Sequence, residues 1–127
     1  MERVNIIYTS AVPGAKDSFK DVINQETICR RYLFWTCTGN VNNIVVLNEL
    51  HFGEKRPVFE SLKTLMEHGW VNTVTIKSID GILDTEDAEE LSRLGMEFET
   101  GIHFIDIELT GILAMFDYDA TKGRFKI

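Results

Sequence analysis

The sequence predicts an α+β fold: a mainly antiparallel, twisted sheet with about three helices packed on it. Three observations lead there. Apolar residues recur at helical spacing in three segments that carry helix start or stop signals. Short β-branched or aromatic runs separate those segments. From Met96 onward the apolar positions alternate with period two around Thr110-Gly111, a natural two-residue turn. With 127 residues, 44% apolar and 26% charged, and only 2 prolines and 9 glycines, the chain has no room for a linker. Residues 1–127 are therefore read as a single globular domain.

Val4 to Thr9 is an apolar, β-branched run and reads as a mostly buried strand. Pro13 and Gly14 open a helix with a stripe of Ala15, Phe19, Val22 and Ile23. Thr27 to Thr38 carries Tyr32, Phe34 and Trp35 and has apolar residues at both odd and even positions. It reads as a central strand covered on both faces, or one with an aromatic surface on one of them. Gly39-Asn40 supplies a turn, and Ile44 to Leu47 follows as an antiparallel partner. Pro57 begins a second helix, whose buried stripe is Val58, Leu62, Leu65 and Met66, with Phe59 at its edge. Gly69 stands where a left-handed cap belongs. Trp70 to Lys77 is again a strand, with Val74 and Ile76 inward. Asp84 caps a third helix with Glu86 and Asp87 in its first turn, buried positions Ala88, Leu91 and Leu94, and Gly95 closing it. The predicted order is β-α-β-β-α-β-α-β-β, with a further short strand from Arg124 to Ile127.

Thirteen basic residues against twenty acidic give a formal charge of −7. Binding through nucleic-acid phosphates calls for a basic stripe, and Arg30-Arg31 is the nearest approach to one. The expectation is no direct nucleic acid, no membrane surface, and a basic protein as partner. Cys29 and Cys37, about 26 Å apart on a continuous strand, are too far apart to bridge and read as small buried hydrophobes. MERVNIIYTS has no signal-peptide hydrophobic region, and no apolar run reaches transmembrane length, so a cytoplasmic protein is expected.

Pairing the last hairpin through Thr110-Gly111 sorts its residues. Leu109 with Ile112, Ile107 with Ala114, Ile105 with Phe116 and His103 with Tyr118 fill the core face. The other face sets Phe104, Asp106 and Glu108 opposite Leu113, Met115 and Asp117. Three carboxylates without a cation among them fit either a solvated face that resists aggregation or a docking surface for a basic partner. The leading expectation is thus a small, non-enzymatic, acidic binding protein of the immunity or antitoxin type. Asp106, Glu108 and Asp117 would be its charged contacts, and Phe104, Leu113 and Met115 its apolar anchors.

Two alternatives stay open. One is a small enzyme, using a divalent metal held by Asp106, Glu108 and Asp117 or a Cys/His pair. The other is a homo-oligomeric structural subunit. His51, His68 and His103 form no metal-binding spacing, and no phosphate-binding glycine motif occurs, so no cofactor is expected.

Overall fold

The computed structural model describes residues 3–11, 18–36, 43–50, 56–78, 84–106, 118–119 and 124–125. Strand and helix alternate in the order β1 (Val4–Ala11), α1 (Ser18–Thr36), β2 (Ile44–Leu50), α2 (Pro57–Glu67), β3 (Val71–Ile76), α3 (Thr85–Glu97) and β4 (Gly101–Phe104). Two short strands, β5 (Tyr118–Asp119) and β6 (Arg124–Phe125), follow. A helix between consecutive strands carries the chain back to its starting edge, so the next strand runs the same way. The result is a parallel four-stranded sheet ordered β2-β1-β3-β4. The fold is α/β, and the expected antiparallel sheet is overturned. Among the described residues antiparallel pairing is confined to the separate β5-β6 ribbon.

The misreading has one physical source, the C-terminal half of α1. Ser18, Val22, Gln25, Cys29 and Leu33 are all buried, and their spacing of three and four draws one unbroken helical stripe. Tyr32, Phe34 and Trp35 favour a strand by intrinsic propensity, but Cys29 and Leu33 continue the stripe and packing decides. Residues 27–36 are therefore helix, and the helix is the crossover that makes β2 parallel to β1. Their register runs from Asn5 opposite Ile44 to Ala11 opposite Leu50.

The two faces of the sheet have separate cores. On one, Ile6, Tyr8, Val74 and Ile76 pack against Phe59, Leu62 and Met66 of α2 and Leu91 and Leu94 of α3. Val58 and Leu65, expected at the centre of the α2 stripe, lie at its margin, while Phe59 is fully buried. On the other face Ile7 packs with Cys29 and Leu33 of α1 and with Ile105. Asp84 caps α3 as expected, its carboxylate accepting from the Asp87 N–H at 2.7 Å. Gly69 takes φ +75° after α2. Gly95 does not end α3, which continues to Glu97. Its lack of a side chain instead admits β4: a Cβ there would lie 2.7 Å from Ile102 Cγ1 and 2.8 Å from the Thr100 carbonyl.

β4 runs parallel beside β3, with His103 opposite Thr75 and Phe104 opposite Ile76. Tyr118 pairs with Phe125, so the expected His103–Tyr118 pair does not form. The Thr110-Gly111 turn and the residues paired around it lie outside the described residues. Cys37, His51 and Gly39-Asn40 also lie outside them.

The strand order fixes where a ligand site belongs. From β1 the chain moves first to β2, then returns across β1 to β3. Such a reversal leaves a crevice at the carboxyl ends of the strands on either side, here β1 and β3.

Candidate functional site

Ser10 stands at that crevice, near the carboxyl end of β1. It shares the alternate positions of Ile6 and Tyr8, whose side chains face α2 and α3. The residue is 1% exposed. Among the described residues its Oγ and Thr75 Oγ1 are the buried side-chain polar atoms without a hydrogen-bond partner. A buried hydroxyl with nothing to bond is costly and calls for an explanation.

The backbone of Ser10, by contrast, is held from both sides. The ladder between β1 and β3 ends at Ile7 opposite Thr75. Gln25 of α1 takes over at Ser10, where its Oε1 accepts from the Ser10 N–H at 3.0 Å and its Nε2 donates to the Ser10 carbonyl at 2.9 Å. The same amide donates to Asp21 Oδ2 at 3.1 Å. Gln25 is itself buried, so the clamp is shielded from competing water. The main chain is thus fixed while the hydroxyl stays uncommitted.

Next to it lies a committed pair. The Tyr8 hydroxyl donates to buried Glu49 at the end of β2. The Glu49 carboxylate also accepts from the Val58 and Phe59 N–H groups, at 2.7 and 3.1 Å. Those are the first-turn donors of α2, and Arg56 at the N-cap position provides no side-chain cap. Glu49 therefore caps α2 from another element and meets the positive end of its dipole. Burial pushes the Tyr8 pKa well up, and the Glu49 hydrogen bond and charge push it further. The nearby Ser10 hydroxyl and Arg56 act the other way without offsetting this. Tyr8 thus stays a protonated donor, while the Ser10 hydroxyl lies close to it without a hydrogen bond of ordinary geometry.

Two cations lie toward the same edge of the sheet, Arg56 ahead of α2 and Lys77 just past β3. Arg56 Nη1 stands 3.8 Å from Asp87 Oδ2. Burial, followed by the neighbouring Asp84 charge, raises the Asp87 pKa.

The residues singled out from the sequence are not brought together here. Phe104 sits in β4, half-buried against the α2/α3 core, rather than on a wet outer face. Asp106 is exposed, and its N–H donates to the Lys77 carbonyl at 3.1 Å. Glu108, Leu113, Met115 and Asp117 lie outside the described residues. Among the described residues no three His, Cys, Asp or Glu side chains gather as metal ligands. Cys29 lies under α1, and burial pushes its thiol up to about 12, which removes it as a nucleophile near neutral pH. His103 touches Tyr32 instead, at 3.5 Å from Nδ1 to the phenol oxygen.

Ser10 was missed because the β-branched run seemed to stop at Thr9, one residue short. The available signal was positional: a small polar residue ending the first strand, followed by Pro13-Gly14 and a helix. That pattern marks the first turn of an α/β fold only once the following strand is known to be parallel.

No family model and no curated protein matches the chain. Solved structures do. The C-terminal catalytic domain of ISC1926 TnpA, an IS607-like serine recombinase, aligns with TM-score 0.63 at 17% identity, covering 90% of this chain and 81% of that one. The first open reading frame of transposon ISC1904 from Sulfolobus solfataricus P2 aligns with TM-score 0.58 at 21% identity, covering 88% and 79%. A serine recombinase from Sulfolobus solfataricus aligns with TM-score 0.58 at 19% identity, covering 91% and 84%. The shared feature is the fold. The immunity or antitoxin reading is overturned with it: that reading rested on an antiparallel acidic hairpin face, whereas β4 is a strand of a parallel sheet. The expectations of a basic protein partner and no direct nucleic acid, drawn from net charge, are overturned by the likeness to serine recombinase structures. Among the described residues no helix is long and apolar enough to cross a membrane.

Proposed function

We propose that this chain is a recombinase-type domain that acts on DNA, with Ser10 as its nucleophile. The observation that carries the reading is the Ser10 hydroxyl: buried, uncommitted, and set at the carboxyl edge of the central strand. Two of the solved proteins that share this fold take their name from a serine, and recombination breaks and rejoins DNA strands.

The chemistry balances without a cofactor. Ser10 Oγ attacks a backbone phosphorus and the bond to one sugar oxygen breaks, leaving DNA esterified to Ser10 and one free sugar hydroxyl. The serine proton leaves to a base or water, and the departing sugar oxygen takes up a proton. One phosphodiester replaces another, so attack by a second sugar hydroxyl reverses the step and joins a new strand. The clamp from Gln25 holds the attacking residue in place, which is the positioning such a step needs. Arg56 and Lys77 lie toward the edge a phosphate would approach, where cations offset the charge of its oxygens.

One observation favours a second reading, a DNA-handling domain that does not cut. The nucleophile is almost fully covered, and the Glu49 carboxylate one strand away repels phosphate. Incubation with supercoiled plasmid separates the two. Strand cutting by Ser10 yields nicked or relaxed plasmid and loses that activity in Ser10→Ala. Plasmid shifted on a native gel but never nicked supports the second reading. Neither outcome, in chain shown to be folded, removes both.

A further inference from the structure

Glu49 is the anomaly of β2. Ile44, Val46 and Leu47 of that strand are half-buried, whereas Glu49 is 1% exposed. A buried carboxylate is strongly disfavoured unless its oxygens are bonded, and here both are. Oε1 accepts from the Tyr8 hydroxyl and the Phe59 N–H, and Oε2 accepts from the Val58 N–H. Capping a helix does not by itself require this arrangement. A Ser or Asp at position 56 would cap α2 locally, yet Arg56 stands there and provides no side-chain cap.

Ser10 reaches the same place. It is the Cα partner of Glu49 across the β1-β2 ladder and lies on the Tyr8 face of β1. Strands about 4.8 Å apart set two such side chains beside each other. The Ser10 Oγ is buried there without a partner. Two main-chain N–H groups at the positive end of an 11-residue helix, a phenol and an uncommitted hydroxyl thus surround one acidic group. Donors that converge at a helix N-terminus form the kind of seat a phosphate oxyanion takes.

We propose that Glu49 is an autoinhibitory stand-in for a phosphate group. Its carboxylate fills an oxyanion seat built by the α2 N-terminus, Tyr8 and Ser10, and a substrate phosphate enters only by displacing it. This rests on the reading that a phosphate approaches Ser10. Two anions cannot share those donors, because like charges a few ångström apart in a buried site repel strongly. The covered nucleophile and the carboxylate beside it are then parts of one device: the resting chain keeps its own anion in the seat.

Titration with inorganic phosphate, followed by thermal unfolding against sodium chloride of equal ionic strength, tests it in the wild-type chain, Glu49→Ala and Glu49→Gln. Glu49→Gln keeps the side chain's size and an acceptor for the helix, so one variant stays folded whatever Glu49→Ala does. Both variants should melt below the wild type in chloride. Phosphate should bind them at least about tenfold more tightly than it binds the wild type, since the competing charge is gone. Adding Ser10→Ala should shrink that gain. A cap with no further role predicts the lost stability and no preference for phosphate over chloride, and that result overturns the proposal. So does a gain that Ser10→Ala leaves unchanged. A plasmid-nicking assay on the same variants separates this inference from the reading it rests on. Tighter phosphate binding with no nicking by any chain leaves the seat standing and removes Ser10 as nucleophile. Nicking by the wild type with no phosphate gain in either variant does the reverse.

Discussion

The two faces of the central sheet are built differently, and the difference explains what each does. Among the described residues a continuous core of ten buried side chains lies beneath α2 and α3. Both helices there are amphipathic, and Met96 near the end of α3 is the large apolar side chain they leave exposed among the described residues. Beneath α1 the buried cluster among the described residues is Ile7, Cys29, Leu33 and Ile105, and the helix carries apolar groups inside and out. The first face holds the sheet together. The second positions Ser10, through Gln25, and leaves Phe19, Phe34 and Trp35 exposed. The α1 side thus holds the Ser10 backbone through Gln25, while the Ser10 hydroxyl shares the face of Ile6 and Tyr8 beneath α2 and α3.

Core truncations should sharpen that contrast most. Phe59→Ala, under α2, should cost about 3–5 kcal/mol, whereas Leu33→Ala, under α1, should fall near the lower end of its range, about 2–3 kcal/mol. Urea unfolding of the two variants measures both, and a larger loss at Leu33 breaks the comparison. Gln25→Ala comes next. It leaves the Ser10 N–H and carbonyl buried without their partners, for a loss of about 2–3 kcal/mol by the same assay. Any DNA nicking should fall further than that loss of stability explains, because a clamp acts on geometry.

The smallest effect is a pH dependence on the α1 face. Burial lowers the His103 pKa from its ordinary value of 6.5. The unfolded chain therefore takes up this proton more readily than the folded one. Above pH 6.5 the group costs nothing; as pH falls below 6.5 toward the folded value, stability drops and then levels off. His103→Gln should flatten that part of the stability profile, and an unchanged slope would show the imidazole is already free to charge.

The same two faces divide what the sequence made legible. α2 and α3 were readable because their signals are local and agree: Pro57 at a first helical position, Asp84 as a cap, and apolar residues at one spacing. α1 was not, because Tyr32, Phe34 and Trp35 raise strand propensity in its C-terminal half, where Phe34 and Trp35 are exposed and mark no buried stripe. Losing that helix removed the crossover, so β2 was placed antiparallel and the α/β order disappeared. The C-terminal period-two pattern pointed toward antiparallel pairing as well, whereas β4 pairs parallel to β3 and ends at Phe104, before Ile105 packs with α1. Ser10 could not be found before the fold. Its distinction lies in the sheet order and in the Gln25 contact, fifteen residues away in sequence, and neither leaves a local motif.

Peptide mapping by mass spectrometry of chain trapped on DNA under denaturing conditions tests the central claim most directly. Nuclease digestion should leave a nucleotide phosphate on the peptide that contains Ser10, and Ser10→Ala should yield no adduct. A nucleotide on any other residue, or an adduct that persists in Ser10→Ala, would contradict the assignment.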